Sequence, residues 1–120
     1  MTNGFDNVTT QRVNGASPRT VPVHLVDTAF GFDATPDVIT IDRGAHLILE
    51  VVNDGKEEHD LALSGGATRT KMLDPGDSQR LDLGTITHDI GAWCTLPGHK
   101  FLGMMLEIRV SQAHQVNAGP

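Results

Sequence analysis

Between residues 21 and 110, short apolar runs alternate with Gly, Pro, Asn and Asp turn signals, and this alternation limits the possible folds most. Runs of five to nine residues between such turns are typical of β-strands, whereas helices need longer patterns with a 3.6-residue period. The predicted strands are 21–28, 38–42, 45–53, 59–63, 78–83, 89–94 and 104–110. The chain is therefore predicted to form an all-β Greek-key sandwich of about seven to eight strands. Residues 29–34 are expected to form a loop over the core.

The two ends of the chain are polar and are predicted to lie outside the sandwich. Residues 1–20 predict a flexible leader, residues 111–120 a flexible tail, and residues 21–110 the globular domain. A chain of 120 residues suits one domain with its own core. The sequence shows neither a signal peptide nor an apolar run long enough to cross a bilayer. Any export signal or anchor is therefore expected to lie outside this chain.

The formal net charge is −6, and this charge limits the classes of partner. Phosphate backbones would repel an acidic chain, so nucleic acid is excluded as an expected partner. A basic or neutral protein partner remains compatible with this charge.

The segment 93–104 reads Trp-Cys-Thr-Leu-Pro-Gly-His-Lys-Phe-Leu-Gly-Met and carries three metal-binding residue types. Cys94, the only cysteine, precedes His99 by five residues, and His99 precedes Met104 by five. A thiolate, an imidazole and a thioether are ligands that copper prefers, and two His, one Cys and an axial Met form a blue-copper centre. The loop therefore predicts a copper site that needs a second histidine. The candidates are His24, His46, His59, His88 and His114.

Strand periodicity predicts which of these side chains point inward. Alternation in a strand places Cys94 on the same face as Ala92, and Met104 on the same face as Leu106. The same argument puts His59 with Leu61. An inward Cys or Met is also ordinary core packing, but a buried His is costly unless its ring nitrogens have partners. The combination therefore favours a site at one end of the sandwich.

From residue 38 to residue 110 the sequence resembles the cupredoxins, the blue copper family that includes plastocyanin and rusticyanin. The resemblance rests on the Cys-x4-His-x4-Met loop and on an upstream His at a strand start. It implies one copper per chain, held by His59, Cys94, His99 and Met104. It also implies one-electron transfer and a periplasmic or other extracytoplasmic location. His46 is the strongest rival to His59, but it comes before a central strand instead of after a turn.

The resemblance further implies a docking surface for redox partner proteins around the solvent-side histidine. Its expected residues are Leu96, Pro97, His99, Phe101, Leu102 and Met105. Glu57, Glu58 and Asp60 are expected to add negative charge at the rim. Asp60 stands where many relatives carry Asn, which puts in doubt the side-chain hydrogen bonds that Asn provides.

The main alternative is an enzyme domain. The sequence is also similar to the copper domains of nitrite reductases and multicopper oxidases, but those place histidines beside the cysteine. Here the neighbours are Trp93 and Thr95, so we expect no second copper and no catalysis. We predict an electron-transfer protein, either a small carrier or a tethered domain of a larger copper enzyme. Copper storage or delivery, and a zinc site on His₂Cys, are the remaining alternatives.

Overall fold

A computed structural model describes residues 10–13, 18–28, 31–64, 68–95 and 105–111. The strands in these ranges are β1 (Thr10–Val13), β2 (Arg19–Thr28), β3 (Gly31–Thr35), β4 (Val38–Asp42), β5 (His46–Asn53), β6 (Ala62–Leu63), β7 (Ser78–Thr85), β8 (Ile90–Trp93) and β9 (Met105–Ser111). Within the described ranges, no helix has the length and apolarity needed to cross a membrane.

The strands form two mixed sheets. One has the order β1-β4-β9-β8-β6 and the other the order β3-β2-β5-β7. The pairs β1–β4, β4–β9 and β2–β5 are parallel, and the remaining pairs are antiparallel. The predicted all-β sandwich is confirmed.

Two strands, β1 and β3, were not predicted from the sequence. Thr10–Val13 was expected in a flexible leader, but these residues pair with Val38–Ile41, and Val13 is buried. Residues 29–34 were expected in a loop, but residues 31–34 belong to β3, which pairs antiparallel with β2. In both cases the partner strand supplies the order, and local propensity does not reveal it. The division of the chain into leader, domain and tail otherwise stays a prediction.

The core lies between the sheets and is built by period-two alternation. In β5, Leu47, Leu49 and Val51 are fully buried, and the residues between them are only partly covered. Burial of each such side chain contributes about 1.5–3 kcal/mol. The same alternation turns Asn53 inward, where it is also fully buried. The apolar stripe of β5 therefore ends in a buried amide, and this amide organises the next loop.

Candidate metal centre

His59 lies in the connection between β5 and β6, and its side chain is fully buried. Its backbone forms a two-way bridge with Leu73: the His59 N–H donates to the Leu73 carbonyl at 3.0 Å, and the Leu73 N–H donates back at 2.8 Å. The strand predicted at 59–63 is therefore shorter, because His59 pairs with a different segment from the one that β6 joins.

Asn53 fixes the loop that leads to His59. Its side-chain N–H groups donate to the carbonyls of Glu57 and Leu73, each at 2.8 Å, and its Oδ1 accepts the Gly55 N–H at 2.8 Å. A buried amide is costly unless it is hydrogen-bonded, and here each side-chain atom has a partner. The Asn-Asp-Gly sequence, which predicted a turn, thus begins a loop that the side-chain amide of Asn53 holds in place.

The His59 ring is supported by two residues of the β2–β3 hairpin. Asp27 and Phe32 are directly opposite each other in this hairpin. Asp27 Oδ1 lies 3.0 Å from His59 Nε2, and the Phe32 ring meets the His59 ring edge-on at 5.4 Å between centroids. Partial burial alone would raise the pKa of Asp27, but the hydrogen bonds from His59 and the Lys56 amide outweigh it. The pKa of this carboxyl therefore lies below its usual range.

Cys94 follows β8 and is only 1% exposed. Strand β8 pairs with β6, with Ala62 opposite Trp93. Continued by two residues, this register sets Asp60 opposite Thr95, and hydrogen bonds join these two residues. Asp60 accepts the Thr95 N–H at 2.7 Å and the Thr95 hydroxyl at 2.6 Å. The backbones that carry His59 and Cys94 therefore run side by side.

Asp60 was expected to add negative charge at an exposed rim, but this expectation is wrong because its side chain is fully buried. Glu57 and Glu58 are exposed, as predicted. Asp60 also accepts a hydrogen bond from Arg69 Nη2 at 3.3 Å. An ionised carboxylate can only accept, and both donors of Thr95 supply what it needs. Asp60 therefore makes side-chain hydrogen bonds as an acceptor, but it cannot make those in which the amide of an Asn side chain would donate.

The structure describes two of the four predicted ligands. His59 and Cys94 are both buried at the same end of the sandwich. His99 and Met104 lie outside the described residues, as do Leu96, Pro97, Phe101 and Leu102 of the predicted docking surface. Met105 is described and is 43% exposed. In the part of the chain that the structure describes, no group of three or more His, Cys, Asp and Glu could hold a metal ion. The complete ligand set stays a prediction.

The rival histidines have other surroundings. His46 lies at the opposite end of β5 from Asn53, about 23 Å away at about 3.3 Å per residue, and its Nε2 is 2.5 Å from Asp82 Oδ1. His24 pairs with the exposed Asp54, Nδ1 to Oδ2, at 2.5 Å. His88 is exposed and precedes β8, whereas Cys94 follows it. His114 lies outside the described residues.

Sequence reasoning missed three residues that build this end of the molecule: Asp27, Phe32 and Asn53. Asn53 had a detectable signal, because a polar residue occupies an inward position of an apolar strand. Asp27 and Phe32 had none, because their contact with His59 depends on how the hairpin packs against a loop about 30 residues away.

No protein-family model and no curated protein matches the sequence. Solved structures do match. Auracyanin A, a "blue" copper protein from Chloroflexus aurantiacus, is 14% identical with a TM-score of 0.62, over 78% of this chain and 99% of that one. The chain has the cupredoxin fold. A Cu-containing nitrite reductase from Thermus scotoductus matches at 16% identity and a TM-score of 0.61, over 88% of this chain. A multicopper oxidase matches at 14% identity and a TM-score of 0.63, over 78% of this chain.

The matches differ in how much of the other protein they cover. This chain spans 31% of the nitrite reductase chain and 42% of the multicopper oxidase chain. Its fold is therefore found both as nearly a whole small protein and as one part of larger copper proteins.

Proposed function

We propose that the protein transfers single electrons through one type-1 copper held by His59, Cys94, His99 and Met104. The observation that carries the proposal is that neighbouring backbones, joined by the Asp60–Thr95 hydrogen bonds, carry a buried imidazole and a buried thiol. These donors fit copper because a thiolate and an imidazole are soft and borderline ligands. The blue copper protein with the same fold supports the assignment.

The chain's own contribution is to hold the donors in a rigid, dry setting. Bound copper would supply the one-electron Cu(II)/Cu(I) couple. His59 is held by the Leu73 bridge and by Asp27, and Cys94 is tied to the His59 segment through Asp60. Little rearrangement of His59 and Cys94 is expected on a change of charge, because both side chains are buried and hydrogen bonds join the segments that carry them.

The optical spectrum of the copper-loaded protein tests this proposal. One Cu(II) per chain should give an intense blue or green colour from thiolate-to-copper charge transfer, and Cys94→Ser should abolish it. Met104→Leu should shift the spectrum, whereas Met72→Leu, a control at an exposed methionine, should not. A colourless protein with stoichiometric copper would contradict a type-1 site.

The second candidate is a domain of a larger copper enzyme, favoured by the partial coverage of the nitrite reductase and the multicopper oxidase. Against a direct catalytic role, Trp93 and Thr95 flank Cys94, so no histidine stands beside it to reach a second metal. Copper-loaded protein with an artificial electron donor should therefore reduce neither nitrite nor oxygen. Appreciable turnover would favour the enzyme.

The proposal includes a location outside the cytoplasm, in the periplasm or beyond, and a docking surface for redox proteins formed by Leu96, Pro97, His99, Phe101, Leu102 and Met105. The exposure of Met105 supports an apolar surface there. Met105→Glu should slow electron self-exchange between oxidised and reduced copies, measured by NMR line broadening. Met72→Glu is the matched control and should leave the rate near that of the parent protein.

A further inference from the structure

The Asp27–His59 contact specifies which ring nitrogen of His59 carries the proton. Asp27 Oδ1 lies 3.0 Å from Nε2, and an ionised carboxylate can only accept hydrogen bonds. Nε2 must therefore donate. In a neutral imidazole with its proton on Nε2, the lone pair that can bind a metal is on Nδ1.

The carboxylate cannot easily turn away from the ring, because the loop before His59 covers it. The Lys56 N–H donates to Asp27 Oδ2 at 2.6 Å, so both carboxylate oxygens are engaged. Gly55 packs directly on the pair. A Cβ at this position would lie 2.5 Å from Asp27 Oδ1 and 2.9 Å from His59 Nε2. Only glycine permits this close approach.

The ring itself is fixed on another side by Phe32, the cross-strand partner of Asp27. The side chain of Asp27 is only 22% exposed, and that of His59 is fully buried. The hydrogen bond is therefore shielded from competing water and orients the imidazole more firmly than an exposed pair would.

We propose that Asp27 is a positioning residue for the metal centre: it holds the Nε2–H tautomer of His59, presents Nδ1 to the copper and increases the donor strength of the ring. The inference rests on the proposed function, in which His59 is a copper ligand. A metal-bound histidine whose other N–H donates to a carboxylate is a more basic ligand. Extra negative charge behind the ring favours Cu(II) over Cu(I), so Asp27 lowers the reduction potential.

The tautomer is measurable in the copper-free protein, without any variant. Long-range ¹H–¹⁵N correlation spectra of ¹⁵N-labelled protein distinguish Nε2–H from Nδ1–H when they are recorded at a pH where the ring is neutral. We expect His59 to be almost entirely the Nε2–H form. A predominantly Nδ1–H ring would overturn the proposal, whether or not any variant folds.

The effect on copper is tested with Asp27→Asn, which keeps the shape and removes the charge. Loss of such an outer partner typically costs 10–100-fold in metal affinity. We expect Cu(II) affinity to fall about tenfold relative to Cu(I), which raises the reduction potential by about 59 mV. The copper-free variant should also show more of the Nδ1–H tautomer. If Asp27→Asn folds poorly, Asp27→Ser offers a second neutral side chain for the same measurements.

Asp54→Asn is the matched control, because it removes the same charge from the residue next to Gly55, and Asp54 pairs with His24 instead of His59. A potential that shifts equally in both variants would reduce the effect to long-range charge and overturn the positioning role. A colourless wild-type protein would be a failure of the proposed function. A blue wild-type protein with an unchanged tautomer and potential in Asp27→Asn would be a failure of this inference alone.

Discussion

Two histidine–aspartate pairs lie at opposite ends of the four-stranded sheet, and they differ in burial and in their neighbouring contacts. His59 and Asp27 meet where β5 ends, with the ring fully buried. His46 and Asp82 meet where β5 begins, with side chains 31% and 59% exposed. A histidine–aspartate pair can therefore fix the orientation of the ring only where burial and further contacts restrict it, since a solvated pair contributes little to stability.

The buried pair is enclosed by residues that the exposed pair lacks among the described contacts. Gly55 and Lys56 cover Asp27, and Phe32 packs against the ring. At the far end, Asp82 accepts one further bond, from the Gly84 N–H within its own strand. The two pairs therefore differ in their tertiary contacts, and four experiments test that difference.

The largest difference is expected on removal of each ring. His59→Ala should abolish or strongly alter the visible copper band, because the proposed site would lose a strong ligand. His46→Ala should leave the band unchanged. Absorption spectra of the two copper-loaded variants measure this directly, and the reverse result would mean that His46 is the ligand.

Asn53→Ala tests whether the buried end depends on its loop. The variant loses three side-chain hydrogen bonds around buried groups and should be destabilised by about 2–3 kcal/mol, measured by urea unfolding of the copper-free protein. Gln79→Ala is the control, since Gln79 accepts a single bond from the exposed Lys71 N–H and should have a much smaller effect. Equal losses would mean that Asn53 is not a special support.

Gly55→Ala tests the close approach over Asp27. The added Cβ must push the loop or the carboxylate aside, which should cost about 1–2 kcal/mol and weaken the hydrogen bond to His59. Gly91→Ala is a suitable control, because its Cβ would meet only Trp93 at an ordinary 3.7 Å. Thermal unfolding gives the stabilities, and the His59 ¹⁵N shifts report the hydrogen bond. Unchanged ¹⁵N shifts of His59 in Gly55→Ala would mean that Gly55 does not hold Asp27 against the ring.

The smallest effect concerns the exposed pair and pH. The hydrogen bond from His46, and then that from the Gly84 amide, lower the pKa of Asp82. A lowered carboxyl pKa contributes stability above the ordinary pKa, and this contribution is lost as pH falls through the lowered value. Asp82→Asn should therefore differ slightly in stability from the parent at pH 6, and the two should converge as the pH falls below the lowered pKa of Asp82. Added salt should shrink the difference, since the pair is exposed. A difference that grows on acidification would contradict this sign.

Part of the fold could be predicted because period-two alternation is a local property. The predicted bounds of β4, Val38–Asp42, are those observed, and Leu106 is buried, as its inward position predicted. The alternation failed for β1, whose partner is a parallel strand more than 20 residues later. Three polar residues and one valine carry no strong sequence signal for a strand, and only pairing with β4 orders them.

The candidate site divides in the same way. The ligand types and their spacing in segment 93–104 can be seen in the sequence, because copper selects side chains by their chemistry. The role of Asp60 could be framed as a question but not answered, since its hydrogen bonds go to Thr95, 35 residues away.

The strand alternation, the all-β class and the spacing of Cys94, His99 and Met104 can be recognised in the sequence alone. Those features depend on residue type and on neighbours in the chain. Three features become visible only in the folded protein: Asp27 contacts His59, Asp60 is buried against Thr95, and His46 lies at the far end of β5. Such contacts join segments far apart in sequence, and the packing of two sheets fixes them, because a buried polar group must find its partner wherever the fold brings one.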